Sequence, residues 1–147
     1  MSPVFTIGYQ ESTAEAVQET LRAAGVGLLV DVRAVAASRR PGFSKRQLAA
    51  GVATVGIAYR HLRALGTPPD GRLAARSGRY AEMRRIFEAH LATDAARREL
   101  DELAELVRSG APLCLLCFER HADHCHRKIV GERLAERLGV AVFDLLP

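Results

Sequence analysis

Apolar and polar positions alternate along this chain in blocks of two kinds. Short, nearly continuous apolar runs are separated by longer segments with helical periodicity. Val4 to Tyr9 is a β-leaning run ended by Gly8 and polar residues, which suits a first strand. Ser12 or Thr13 can cap a helix with Val17, Leu21 and Ala24 on one face, and Gly25 ends it. Gly27 to Arg33 reads as a strand buried on both faces of a parallel sheet. Ser44 is an N-cap candidate for a helix over Lys45 to Thr54, and Ile57 to Leu62 reads as a third strand. Residues 64–79 read as a long Gly/Pro loop. Tyr80, Met83, Phe87 and Leu91 mark a helix, and Leu100, Leu103 and Val107 mark another that Gly110 ends. Pro112 to Phe118 is a fourth buried strand. A polar segment from Glu119 to Arg127 leads to a helix carrying Val130, Leu134 and Leu138, stopped by Gly139. Val140 to Leu145 closes the chain as a fifth strand.

The order β-α-β-α-β-α-α-β-α-β predicts an α/β fold. We expect a three-layer, open, mainly parallel sheet of about five strands with helices on both faces, Rossmann-like or flavodoxin-like. The 147 residues suit one domain. The N-terminus lacks a basic region followed by an apolar one, and no apolar run approaches the roughly 18–20 residues of a membrane span. Three Cys are too few for a disulfide scaffold. A cytoplasmic protein with reduced thiols and no membrane contact is the expectation.

In open parallel sheets, ligands bind beyond the carboxyl ends of the strands. Here those ends carry Tyr9, then Asp31 and Arg33, then Arg60 and His61, then Cys117 and Glu119. Asp31 and Arg33 end a very apolar strand at i, i+2, so they can pair with each other or with a ligand. The segment from Cys117 to Lys128 holds two of the three Cys and three of the five His. With Asp123 as N-cap, Cys125, His126, Arg127 and Lys128 would fall in a first helical turn. That turn favours anions and a lowered thiol pKa. Arg127 can fork onto a phosphate or carboxylate. Glu119 shares a strand face with Cys117 at i, i+2, which suits a nucleophile with a proton-transfer partner.

Other uses of the cysteines are open. Cys114-x-x-Cys117 with Cys125-His126 has the look of zinc spacing. Strand geometry, however, turns Cys114 away from Cys117 and makes it a core thiol, and adjacent Cys125 and His126 are awkward paired ligands. No metal site and no cofactor are expected. The spacing of a phosphatase or rhodanese loop is absent, because Ala122 and Asp123 stand where its Arg would be. A Cys117/Cys125 redox pair is permitted but not implied.

Charge changes the picture last. The net charge of +4 conceals polarity. Between Arg33 and Arg85 there are twelve basic and two acidic residues, a net +10, against −6 elsewhere. Such a stretch suits phosphates, though few aromatics interleave it.

The spaced set Ile7-Gly8, Asp31-Val32-Arg33, Ser38-Arg39, Phe43, Gly56-Ile57-x-Tyr59, Leu65-Gly66, Tyr80, Cys117-x-Glu119 and Cys125-His126-Arg127 resembles the domain of unknown function 488 family. The resemblance runs almost end to end. It implies a small α/β domain of bacterial, cytoplasmic type. It also implies signature positions at Asp31, Arg33, Ser38, Cys117, Glu119, Cys125, His126 and Arg127. No activity comes with it. Tyr9 and Gln10 stand where the family usually has His and Ser, and the frequent Pro near Ala36 is missing.

The expected partner is a small anionic or phosphorylated ligand. Asp31, Arg33, Ser38, Arg39, Arg127 and Tyr9 would bind it, and Cys117, Glu119, Cys125 and His126 would supply the chemistry. The alternatives are a nucleic-acid-associated module using the basic stretch, and a structural metal or thiol redox site.

Overall fold

The computed structural model describes residues 1–147. Five strands, β1 (Val4–Gly8), β2 (Leu28–Asp31), β3 (Ala58–His61), β4 (Leu113–Cys117) and β5 (Val142–Leu145), form one sheet in the order β3-β2-β4-β1-β5. Every pairing is parallel. The fold is the expected three-layer α/β arrangement.

β4 is central and buried at all five positions, while β3 alternates exposed and half-buried residues at an edge. Residues 27 and 32–33 lie outside β2, so the apolar run of the sequence overshoots its strand.

Six helices cover the sheet: α1 (Ala14–Ala23), α2 (Lys45–Ala53), α3 (Pro69–Arg76), α4 (Tyr80–Leu91), α5 (Asp94–Arg108) and α6 (His126–Leu138). Right-handed crossovers decide their side. The steps β1 to β2 and β2 to β3 move one way across the sheet; β3 to β4 and β4 to β5 move the other. Accordingly Val17, Leu21, Leu48 and Val52 of α1 and α2 share a core with Leu29, Cys114 and Leu116. Phe87, Leu103, Ile129 and Leu134 of the later helices share the other with Val30, Leu113, Leu115 and Cys117. The alternation of β4 between the two cores follows from the two-residue period of a strand. It places Cys114 on the face opposite Cys117, as a buried free thiol that burial pushes up in pKa.

Local signals explain most boundaries. Thr13 accepts a hydrogen bond from the Ala16 N–H at 3.1 Å and caps α1. Gly139, at φ 70°, ends α6 in the left-handed region.

Three expectations are corrected. The stretch 64–79 is not a loop: it takes in the end of a one-turn 3₁₀ helix (Arg63–Leu65) and all of α3. Pro69 occupies the first helical position, where a missing N–H costs nothing, and Asp70 follows in the first turn. Ser44 holds the cap position of α2 without capping it. Its Oγ instead donates to the Ser38 carbonyl at 3.0 Å and accepts from the Ser38 N–H. Finally, Asp123 does not cap α6. It lies in a 3₁₀ turn (Ala122–His124), pairs with Lys128 at 3.0 Å, and leaves Cys125 in the cap position.

Candidate functional site

Strand order fixes where a ligand can sit. After β2 the chain leaves toward β3, and after β4 it leaves toward β5. The crevice between these divergent exits is a topological switch point. A pocket of about 280 Å³ opens there. Tyr9 follows β1 into it, Arg33, Ala34, Val35 and Ala37 follow β2, and Cys117 to Glu119 follow β4. His124, Cys125 and His126 line it from the start of α6, and Thr67, Arg72, Arg76 and Met83 from α3, its approach and α4.

Two glycines let these segments approach. A Cβ on Gly8 would collide with the Glu119 carbonyl, and one on Gly66 would fall onto the Ala34 backbone.

The β2 exit is a closed network. Arg33 Nε donates to Asp31 Oδ1 at 2.9 Å and Nη2 to Oδ2 at 2.7 Å, a bidentate pair with Asp31 fully buried. Arg33 Nη1 donates to the Phe43 carbonyl and the Tyr9 hydroxyl, at 2.8 and 3.1 Å. The Tyr59 hydroxyl donates to Asp31 Oδ2 at 2.5 Å. Burial opposes the charge on Arg33, but hydrogen bonds and charge from Asp31 outweigh it and raise its pKa. Tyr59 is raised by burial and by Asp31, so it stays a donor. The ring of Tyr9 stacks on Phe43 at 4.4 Å.

The β4 exit is arranged differently. Cys117 and Cys125 are joined as a disulfide, with Cα atoms 7.5 Å apart. The bond corrects the expectation of reduced thiols; the contact, only permitted by the spacing, is made because α6 starts beside the end of β4. His126 Nε2 lies 2.6 Å from the Val32 carbonyl, an acceptor only, so Nε2 carries the hydrogen. Nδ1, left without a hydrogen, faces Cys125 Sγ at 3.6 Å. Burial lowers the His126 pKa to about 4 despite that bond, and the ring is neutral at pH 7. Burial raises the Glu119 carboxyl, with His124 and Arg127 pulling the other way. Tyr80 stacks on His124 at 4.2 Å.

Arg127 is turned inward. Its side chain is fully buried. Nε donates to Thr6 Oγ1 at 3.1 Å, Nη1 to Cys117 Sγ at 3.1 Å and to the Glu119 carbonyl, and Nη2 to the Arg120 carbonyl at 3.2 Å. The expectation that Arg127 faces an anion is therefore corrected, because its donors hold the β4 exit onto β1. Burial lowers its pKa, though an arginine keeps its charge.

Of the residues singled out in the sequence, Tyr9, Arg33, Cys117, Glu119, Cys125 and His126 come together around the pocket. Asp31 stands behind Arg33. Ser38 and Arg39 lie outside it, and the Ser38 hydroxyl accepts from the Arg40 N–H at 3.1 Å as a loop brace. Arg72 and Arg76 entered the sequence reading only as members of the basic stretch from Arg33 to Arg85, not as pocket residues. Their spacing of four after Pro68-Pro69-Asp70 is the signal of a helix face that would have found them. Neither has a carboxylate partner, and Arg72 Nη1 donates only to the Thr67 carbonyl at 2.9 Å.

The model of the domain of unknown function DUF488 matches residues 13–134. The chain belongs to the DUF488 family. The DUF488 match takes in the exits of β2 and β4 and most of α6, whereas β1 and Tyr9 precede it. No curated protein and no solved structure matches the chain. No helix is long and apolar enough to cross a membrane.

Proposed function

We propose that the chain is an enzyme or binding protein for a small anionic ligand held in the pocket between the β2 and β4 exits. One observation carries this reading: the two sulfurs, Glu119 and His126 converge on a pocket whose rim bears two arginines without carboxylate partners. Arg72 and Arg76 hold the anion, replacing Arg127 in that role. Ala34, Val35, Met83 and Phe118 contribute apolar wall, which suits a ligand with an apolar body. The Cys117–Cys125 end of the pocket supplies the reactive group, and Glu119, half-buried and raised in pKa, supplies proton transfer.

The nucleic-acid alternative has less behind it. Of the basic stretch, Arg33, Arg60, Arg79, Arg84 and Arg85 are paired with carboxylates, some from far along the chain. The +10 of the linear sequence is thereby partly neutralised in the fold.

Native mass spectrometry of molecules retained by the reduced protein tests the reading. A small anion retained by the wild type and lost in an Arg72→Ala, Arg76→Ala variant is the expected result. Retention that is unchanged in that variant, or no retained anion at all, overturns it. Binding of an oligonucleotide that weakens steeply with salt favours the alternative.

A further inference from the structure

Cys117, Cys125 and His126 are buried at the pocket, and their ligating atoms lie within 4.8 Å of one another. We propose that, in the dithiol form, these three residues bind one zinc-class divalent cation, with its fourth position open to the pocket. The inference rests on that pocket being the site, and it identifies what the reactive group at its sulfur end is.

Geometry carries it in three steps. On one tetrahedral zinc, with Zn–S about 2.3 Å and Zn–N about 2.05 Å, a nitrogen and a sulfur ligand stand about 3.6 Å apart and two sulfurs about 3.8 Å. His126 Nδ1 and Cys125 Sγ already lie 3.6 Å apart. The adjacency that makes the pair look awkward in sequence is resolved by the backbone: Cys125 is extended, at φ −134° and ψ 146°, and His126 opens the helix. Next, the Val32 carbonyl fixes the imidazole tautomer, leaving the Nδ1 lone pair on the sulfur side, as outer hydrogen bonds do for metal-bound histidines. Finally, the 7.5 Å between the Cys117 and Cys125 Cα atoms exceeds the roughly 4.4–6.8 Å usual for disulfides. The same span accommodates sulfurs parted by about 3.8 Å around a shared ion.

The surroundings complete the site. Arg127 Nη1 donates to Cys117 Sγ at 3.1 Å, which stabilises the thiolate. Two thiolates, a neutral imidazole and a divalent cation sum to zero, so burial is tolerable. Three protein ligands with an open position form the catalytic rather than the structural type of zinc site. A water or an anion end would take the fourth place, within the pocket that Glu119 also lines. Conversion is balanced: a dithiol reductant gives two electrons and two protons to the Cys117–Cys125 bond and becomes a disulfide. Cation binding then releases the two thiol protons to solvent.

The test is cobalt titration of the full chain, purified with a dithiol reductant and no chelator. One Co²⁺ per chain is expected, with a thiolate-to-cobalt charge-transfer band and tetrahedral d–d bands that Zn²⁺ abolishes. Cys117→Ser and Cys125→Ser each lose half or more of the charge-transfer intensity. His126→Asn weakens binding on the order of 100-fold, and Cys114→Ala keeps the wild-type spectrum. Circular dichroism and thermal unfolding confirm that each variant is folded. A reduced wild type without the charge-transfer band, or one matched by the folded Cys117→Ser, Cys125→Ser variant, overturns the proposal. The two readings fail separately. Cobalt bound with no anion retained defeats only the anion-pocket reading. An anion retained equally with and without the cysteines, and no cobalt band, defeats only the metal site.

Discussion

The exits of β2 and β4 lie side by side at the centre of one sheet edge, and both are crowded with polar and reactive groups. At the β2 exit every strong group has found an internal partner. Asp31 and Arg33 pair bidentately, and Tyr9, Tyr59 and the Phe43 carbonyl complete the set. At the β4 exit Arg127 is consumed in the same way, but the sulfurs, the His126 Nδ1 and the Glu119 carboxyl turn to the pocket. Density of chemistry therefore does not locate function. What separates the two exits is the kind of partner each group has: a bidentate ion pair with further hydrogen bonds at β2, and a disulfide with a 3.6 Å sulfur–imidazole contact beside the pocket at β4. A buried ion pair holds structure, whereas sulfurs, an imidazole and a carboxyl raised by burial around a cavity make a candidate site.

That contrast can be broken most forcefully at Asp31. Asp31→Ala leaves the buried guanidinium of Arg33 without its carboxylate and should cost about 3–5 kcal/mol in denaturant unfolding. Removing both charges with Asp31→Leu, Arg33→Met should cost less than the single change. An equal or larger loss from the pair would show that Arg33 does not depend on Asp31.

Gly66→Ala drives a methyl onto the Ala34 backbone just past β2. A loss of about 2–3 kcal/mol is expected, and a neutral result would mean that the segment yields. Tyr59→Phe deletes one hydrogen bond to Asp31 and should lower stability by about 1.5 kcal/mol, toward the lower end for a bond to a charged group because Tyr59 is only half-buried. The smallest stability effect belongs to the pocket. Arg72→Ala and Arg76→Ala should each stay within about 0.5 kcal/mol of wild type while anion retention is lost. Stability losses there as large as those at Asp31 would erase the distinction between the exits.

Particular residues show how much was legible in advance. Asp31 ends β2 and Arg33 follows two residues on, just past the strand, so their pairing was readable as one of two options; the geometry is local. The opposite facing of Cys114 and Cys117 was readable for the same reason. The helix at 69–76 was hidden because two prolines looked like breakers, although one of them suits a first helical position. Arg127 and Asp123 were misplaced because the reading set the start of α6 two residues too early. That shift changed which side chain caps and which turns inward. The cancellation of the basic stretch by Glu102 and Glu132 could not be seen at all, since those carboxylates lie far along the chain.

By itself the sequence determined the alternation of strands and helices, and with it the layered α/β fold and the edge where reactive side chains gather. Those features follow from periodicities of two and 3.6 residues, which each segment expresses without its neighbours. Only the tertiary structure decided that β2 lies against β4, that Val32 therefore holds His126, and that Cys117 reaches Cys125. Strand order depends on how crossover helices pack across the whole sheet, and no local period encodes it.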